Sequence, residues 1–512
     1  MQLRAAISRE SRERISQWPE LWSRKAIGVT VRRGRDRNAH RSIVAACCAL
    51  LASRLTQGSA EPAAIRPPVS PSAFAIYTRF RRAGLFRFDE EVRSELRQNW
   101  RQLVVAFCCL LFGFAAPSFA LPFIYSEVIG EFGWTREQAT LLASAKYLTG
   151  TVAALIVGRF IDVIGVRVML ILSIASGAVA LVNFLWVSTL SGYYLTGVLL
   201  GFAGPGAFVA IKVLISRTFH ASQGTAMGLA MLGSSIGAAL VPLIITYLIG
   251  SFGWRYGIAA MSLGTWLVAI PIMFLPFFRV GFADGDALFS KSRPAGEELV
   301  ALNTSRDAVR AESRQALKKI AAMREFWLLA GAALLVAIAD QAFTQHQVLI
   351  FNDAGLSREL TALGISAMGI IGVVCRVIVG NVLDSSSNKG AAALYILISI
   401  GSLLALFLGN PLIFMAYIVV RAAGHTALLV DTMVLTKHAF GTKNYGTLIG
   451  IYTAIHYVGY AIGPWLMGRL HDMDGSYRSS FALFAVIPVV AAAMIWVMKV
   501  EFRPLRKAKV QP

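Results

Sequence analysis

The chain has 512 residues, 56% of them hydrophobic and 15% charged, with a mean hydropathy of +0.61 and a formal net charge of +21. A soluble domain carries about 25% charged residues, so this composition excludes a soluble globular protein. The alternation of a transmembrane barrel is also missing, which leaves helices, whose backbone groups pair internally in lipid, as the spanning elements.

A basic extension, residues 1–97, comes first. Arg32, Arg33, Arg35, Arg37 and Arg41 precede an apolar run, Ile43 to Ala52, that is too short to span. The extension reads as disordered; an ordered regulatory segment and an Arg-rich targeting segment are the alternatives. At its end, 86–100 has the pattern of a short amphipathic helix lying on the membrane. Twelve apolar stretches follow, at 102–125, 138–158, 168–188, 192–214, 225–249, 255–278, 326–350, 359–381, 390–408, 411–434, 446–467 and 479–500. They form two blocks of six, 98–279 and 325–500, separated by a polar linker, 280–324, and followed by a basic tail, 501–512. Within the linker, 307–323 has the pattern of a surface helix. An even number of spans puts both termini on one side. Arg503, Arg506, Lys507, Lys509 and the Arg-rich start place that side in the cytoplasm. The short loops weaken this, because Arg136, Arg255, Arg358 and Arg478 fall on the outside. Positive-inside retention accounts for the charge without any nucleic-acid partner. Asn303-Thr-Ser305 matches a glycosylation sequon but falls in the cytoplasmic linker. Cys47, Cys48, Cys108, Cys109 and Cys375 contain no C-x-x-C, so no metal, cofactor or disulfide framework is expected.

The two blocks are copies of one unit. Gly133/Gly355, Gly150/Gly372, Gly158/Gly380, Asp162/Asp384, Gly224/Gly446, Gly228/Gly450, Gly237/Gly459 and Pro242/Pro464 all share one offset, 355 − 133 = 222. Duplicated helical halves around a mid-membrane cavity are a common plan of secondary transporters. Small residues at helical spacing in spans five and eleven, among them Gly233/Gly237 and Gly459/Gly463, suit close helix packing. Pro242 and Pro464 are expected to kink the outer ends of these spans.

After span two the chain reads Gly158-Arg159-Phe-Ile-Asp162-Val-Ile-Gly165-Val-Arg167. Gly158 permits close approach of a neighbour, Asp162 can accept from a helix N-terminus or an arginine, and Gly165 permits a tight turn. This resembles the signature loop of the major facilitator superfamily, Gly-x-Leu-Ala-Asp-Arg-x-Gly-Arg-Lys, with departures at Val163 and at one terminal basic position. The second copy keeps Gly380, Asp384 and Lys389. The resemblance implies an all-α membrane protein with twelve transmembrane helices in two pseudo-symmetric six-helix bundles, and a latch on the cytoplasmic face. Gly463-Pro-Trp-Leu-Met-Gly468-Arg-Leu-His-Asp472-Met-Asp-Gly475-Ser-Tyr477 further resembles the monocarboxylate transporters. Gly113-Phe114, the Phe-Gly-Trp134 string, and Phe440-Gly441 leading to Gly446 are similar to the bacterial branch of that family.

A charge at the bilayer centre costs about 2.5–3.5 kcal/mol on insertion scales, so a deep one faces a cavity or a partner. The deep ones are Lys146, Asp340, Arg376 and Arg421. In the other repeat, Met368 stands for Lys146 and Ala154 for Arg376, so the shared scaffold does not require these charges. Arg376 is the first candidate for a substrate carboxylate, because a guanidinium binds it bidentately. The family resemblance implies the same role for an arginine in this part of span eight. It also implies an aspartate where Gly372 stands and a lysine where Ala120 stands, and both are missing. Lys146 and Arg421 are further anion contacts; Lys146 could instead pair with Asp340 or another acid. Asp340 carries the coupled proton or neutralises Arg376 or Arg421. His346, His425 and His456 are proton-relay candidates, since imidazole titrates near neutral pH.

These features point to a secondary transporter of the inner membrane of a bacterium, not an enzyme. It would move a small organic anion, a monocarboxylate by resemblance, with protons or a counter-anion supplying the drive. Another solute (a drug, sugar derivative or dicarboxylate) and a non-transporting sensor are the alternatives.

Overall fold

The computed structural model describes residues 90–220, 222–275, 315, 317–441 and 445–498. The apolar run at 43–52, the sequon at 303–305 and the tail 501–512 lie outside the described residues. All regular structure among them is helical. A short helix, Glu90–Gln98, precedes the spans, so the last residues of the basic extension are ordered. Its anchor is Glu95. The carboxylate accepts from the backbone amides of His220 (2.6 Å) and Ser222 (2.8 Å) and from the Ser222 hydroxyl (2.6 Å). It thereby satisfies free donors at the start of the fifth span, where Ser222 itself makes no side-chain cap.

The first bundle consists of α1 (Trp100–Phe132), α2 (Arg136–Ile164), α3 (Val166–Asn183), α4 (Leu190–Thr218), α5 (Gln223–Phe252) and α6 (Trp254–Phe274). The second consists of α7 (Arg324–Asp353), α8 (Arg358–Leu383), α9 (Ser386–Phe407), α10 (Pro411–Phe440), α11 (Tyr445–Asp474) and α12 (Arg478–Val497). Among the described residues, eleven of these are long and apolar enough to cross a membrane. The twelfth, α11, has the length, 30 residues, but its Tyr, His and Gly content makes it less apolar. The repeat predicts its place, because 223–252 shifted by 222 is 445–474, the bounds of α11.

The duplicated string at Gly133 and Gly355 is explained by helix ends. Both glycines sit in the left-handed region, at φ 66° and 77°. Two residues later, Thr135 and Ser357 cap α2 and α8 by accepting from Gln138 N and Leu360 N. In α1 the chain widens into a π-helical stretch, Cys109–Ala115, and the Phe112 carbonyl accepts from Thr265 Oγ1 of α6 at 2.9 Å.

Glycines let the bundle helices touch backbone to backbone. A Cβ on Gly233 would lie 2.3 Å from the Phe107 carbonyl of α1, and one on Gly463 would lie 2.2 Å from the Ile338 carbonyl of α7. The same addition at Gly450 meets nothing within 4 Å. Gly463→Ala should therefore lower stability by about 1–3 kcal/mol through overpacking, while Gly450→Ala stays close to wild type. Thermal unfolding of the purified variants checks this.

Candidate functional site

The bundles meet mainly along two helix pairs, α2 with α11 and α5 with α8, and α1 also packs on α7. We call the side where α1 begins proximal and the side of the 133–135 loop distal. On the distal side the bundles are bonded to each other. Arg136 donates both terminal nitrogens to Asp353 (2.7 and 2.8 Å), Arg358 pairs with Glu127 (2.7 Å), and Glu137 accepts from Trp465 (2.9 Å) and Arg469 (3.1 Å). Asp472, on α11, accepts from the backbone amides of Arg136 (3.2 Å) and Glu137 (2.8 Å), so one bundle caps a helix of the other. Further contacts continue to mid-depth: the Ser144 hydroxyl donates to the Ala461 carbonyl at 2.6 Å, and Gly369 lies against the Ala238 backbone. The contacts run on to Gly150, whose Cβ position lies 2.8 Å from the Tyr457 ring, and stop beyond it. A Cβ on Gly158, Gly228, Gly380 or Gly450, one from each of the four joining helices, would meet nothing within 4 Å. The bundles therefore close distally and part proximally. Three of the four arginines that weakened the charge rule are paired: Arg136 and Arg358 across the bundles, and Arg255 with Glu131 at 2.7 Å.

At the inner end of this opening, two cations lack an acidic partner among the described residues. Lys146 of α2 is buried, with Nζ 3.3 Å from the Ser118 hydroxyl and 5.2 Å from the Tyr147 ring centroid. Arg376 of α8 is half-buried and donates to Ser235 Oγ of α5 at 2.8 Å. Each cation comes from a different bundle, and each has donors to spare.

Asp340 and Arg421 are settled otherwise. Asp340 on α7 is fully buried, and its Oδ1 takes Arg421 Nη1 at 2.5 Å. The second Arg421 nitrogen donates to the Asp340 carbonyl (2.6 Å) and to Thr344 Oγ1 (3.1 Å). Of the two arginines the sequence offered to Asp340, the structure chooses Arg421. That guanidinium is engaged inside the second bundle and is not presented to the opening in this conformation. Nor does Lys146 take Asp340 as its acid. The other carboxylate oxygen, Oδ2, meets His425 Nδ1 at 2.9 Å, and the His425 side chain is 38% exposed while Asp340 is at 0%. His425 thus stands between solvent and the buried Asp340 carboxylate.

The other two histidines are packed. Both nitrogens of His346 are bonded, Nδ1 to the Tyr477 hydroxyl (2.8 Å) and Nε2 to the Pro464 carbonyl (2.9 Å). A carbonyl only accepts, so Nε2 carries the proton and Nδ1 accepts from Tyr477. His346 ties α7 to the second half of α11 and to the loop before α12. His456 is buried against Tyr460, 6.1 Å between ring centroids.

In the signature loop, Arg167 is buried, donates to the Met273 carbonyl at 2.5 Å and stacks on Phe274, holding the last turn of α6. Arg159 is exposed beside Gly158. Asp162 and Asp384 lie outside the described side chains. Gly165 takes φ 86°, and its repeat partner, 165 + 222, is Ser387, which takes φ 43°. A serine there is strained where glycine is not, and its hydroxyl lies 3.0 Å from His438 Nδ1, a contact that fixes the turn.

Sequence reasoning missed the tyrosines. Tyr147 of α2 and Tyr457 and Tyr460 of α11 form a cluster with ring centroids 5.3–5.9 Å apart, and Gln341, next to Asp340, donates to the Tyr147 hydroxyl at 2.7 Å. The spacing of Tyr457 and Tyr460, i and i+3 on one helix face, was the available signal.

Residues 103–420 and 386–512 match the family described as Major Facilitator Superfamily. The chain is 22% identical over 342 residues to Monocarboxylate transporter 12 of Homo sapiens, an alignment covering 63% of this chain and 65% of that protein. It is 20% identical over 442 residues to human Monocarboxylate transporter 1, covering 80% and 86%. A crystal structure of a D-xylose-proton symporter superimposes with a TM-score of 0.60 at 15% identity, covering 78% of this chain and 97% of that one. A bacterial homologue of the human lysosomal transporter Spinster, inward-facing and occupied, superimposes with a TM-score of 0.58 at 15% identity, covering 80% and 97%.

Proposed function

This chain belongs to the Major Facilitator Superfamily, is a multi-pass membrane transporter, and we propose that its cargo is a small organic anion, a monocarboxylate, moved by alternating access. The observation that carries this reading is the pair of membrane-embedded cations, Lys146 and Arg376, that have no acidic partner among the described residues, one from each bundle at the inner end of a one-sided opening. A carboxylate bridging them would neutralise both and draw the bundles together. The names of the relatives support a monocarboxylate.

The proximal side is then cytoplasmic, with both termini there, in a bacterial inner membrane, and the conformation described is open inwards. Transport in the other direction of the cycle requires the distal ion pairs to part while the proximal glycines close on each other. Protons or a counter-anion supply the drive. For a proton, His425 and Asp340 provide the route from the opening to a buried carboxylate; Arg421 holds that carboxylate in place.

The test is uptake of labelled lactate into proteoliposomes containing the full chain, driven by a pH gradient. Saturable, gradient-dependent uptake is expected, and its absence across short monocarboxylates with folded protein overturns the reading. His425→Gln keeps a donor toward Asp340 but cannot titrate. We expect it to lose most gradient-driven accumulation, about tenfold, while exchange of labelled for unlabelled anion continues.

A further inference from the structure

The proposed site holds more than its two cations. Beside Lys146, three tyrosines converge from α2 and α11, and their disposition is unlike a packed core. Tyr147, Tyr457 and Tyr460 are each partly buried, at the depth where the bundles begin to part. Tyr147 meets Tyr457 at an interplanar angle of 72° and Tyr460 at 63°. In an edge-to-face pair one ring covers only one face of its neighbour, and besides the trio itself Tyr147 carries Lys146 Nζ at 5.2 Å and Tyr460 meets His456 at 6.1 Å. The Tyr147 hydroxyl accepts from Gln341. The Tyr457 and Tyr460 hydroxyls have no hydrogen-bond partner among the described residues, and neither belongs to the buried unpaired polar atoms. A phenol at mid-membrane depth without a partner is costly unless it faces water or cargo. The Tyr457 ring is also held in place, because it fills the space a side chain on Gly150 would need, 2.8 Å from that Cβ position.

From this arrangement, and resting on the carboxylate reading above, we infer that Tyr147, Tyr457 and Tyr460 receive the body of the cargo, which is an aryl or arylalkyl carboxylate. The carboxylate engages Lys146 and Arg376. The aromatic ring lies against the free tyrosine faces on the α11 side, with the unpaired hydroxyls available to any polar substituent on it. A short aliphatic acid fits the cations but leaves the tyrosine faces bare. Because the tyrosines span both bundles, a ring seated there also bridges the joint that must move.

Binding measured by titration calorimetry on the purified full chain avoids passive leakage of aromatic acids through lipid. Benzoate and phenylacetate should bind about tenfold tighter than acetate and lactate. Tyr457→Leu and Tyr460→Leu should remove that preference while leaving the aliphatic affinities within about twofold, and Tyr457→Phe should keep it. Unchanged aliphatic affinity shows that the leucine variants are folded; should either fail to fold, the wild-type comparison decides alone. Aliphatic acids binding as well as aromatic ones, or a preference that survives both leucine changes, overturns the inference and leaves the carboxylate reading standing. Failure of every carboxylate to bind overturns the carboxylate reading itself.

Discussion

Arg376→Ala should reduce carboxylate uptake about a hundredfold while the protein still folds. The size follows from truncating one half of a desolvated charge pair, about 2–5 kcal/mol, with each 1.4 kcal/mol a factor of ten. Folding should survive because the side chain is only half-buried and gives up one hydrogen bond within the protein, to Ser235. Arg376→Lys should recover only part of the loss, since an ammonium cannot grip both carboxylate oxygens in one plane. Initial rates over a range of substrate concentrations in proteoliposomes measure this, beside a folding control. Equal uptake by wild type and Arg376→Ala would remove this residue from the site.

Arg421→Ala should instead destabilise the protein, by about 3–5 kcal/mol, because it strands a fully buried carboxylate. Three of the bonds described above end on this guanidinium: to Asp340 Oδ1, to the Asp340 carbonyl and to Thr344. After its removal, Asp340 keeps His425 alone. Arg421→Ala combined with Asp340→Ala should be more stable than the sum of the single changes predicts, since neither charge is then left by itself. Thermal unfolding of the four purified proteins gives the comparison. A fully additive result would mean that the pair is not the unit described.

Much of the scaffold was legible in the chain. The offset of 222 carries α5 onto α11 end for end, and it names the turn glycines and caps that start α2 and α8. The deep charges were legible too, because ionisable residues are rare in an apolar stretch. Their pairing was not. Asp340 had two arginines within plausible reach, and only the packing of α7 against α10 selects Arg421. The distal ion pairs escaped for a different reason. Arg136 and Arg358 share the repeat offset, but their partners do not: Asp353 lies at the end of α7, and Glu127 lies inside α1. Such pairs join particular side chains across the two halves, and periodicity carries no information about which ones meet. The tyrosines were unremarkable one at a time. They became informative when two helices of different bundles brought them together beside Lys146.

The cap that Asp472 places on α2 makes part of the secondary structure conditional. Thr135 protects the amide of Gln138 from within the first bundle, but the amides of Arg136 and Glu137 are protected only by a carboxylate of the second. In the proposed alternating-access cycle, parting of the distal side passes those two hydrogens to water and leaves the remainder of the helix start bonded. Deuterium entering at these two amides, and not at Gln138, would therefore count the openings of the carrier, with no probe attached and no cargo labelled.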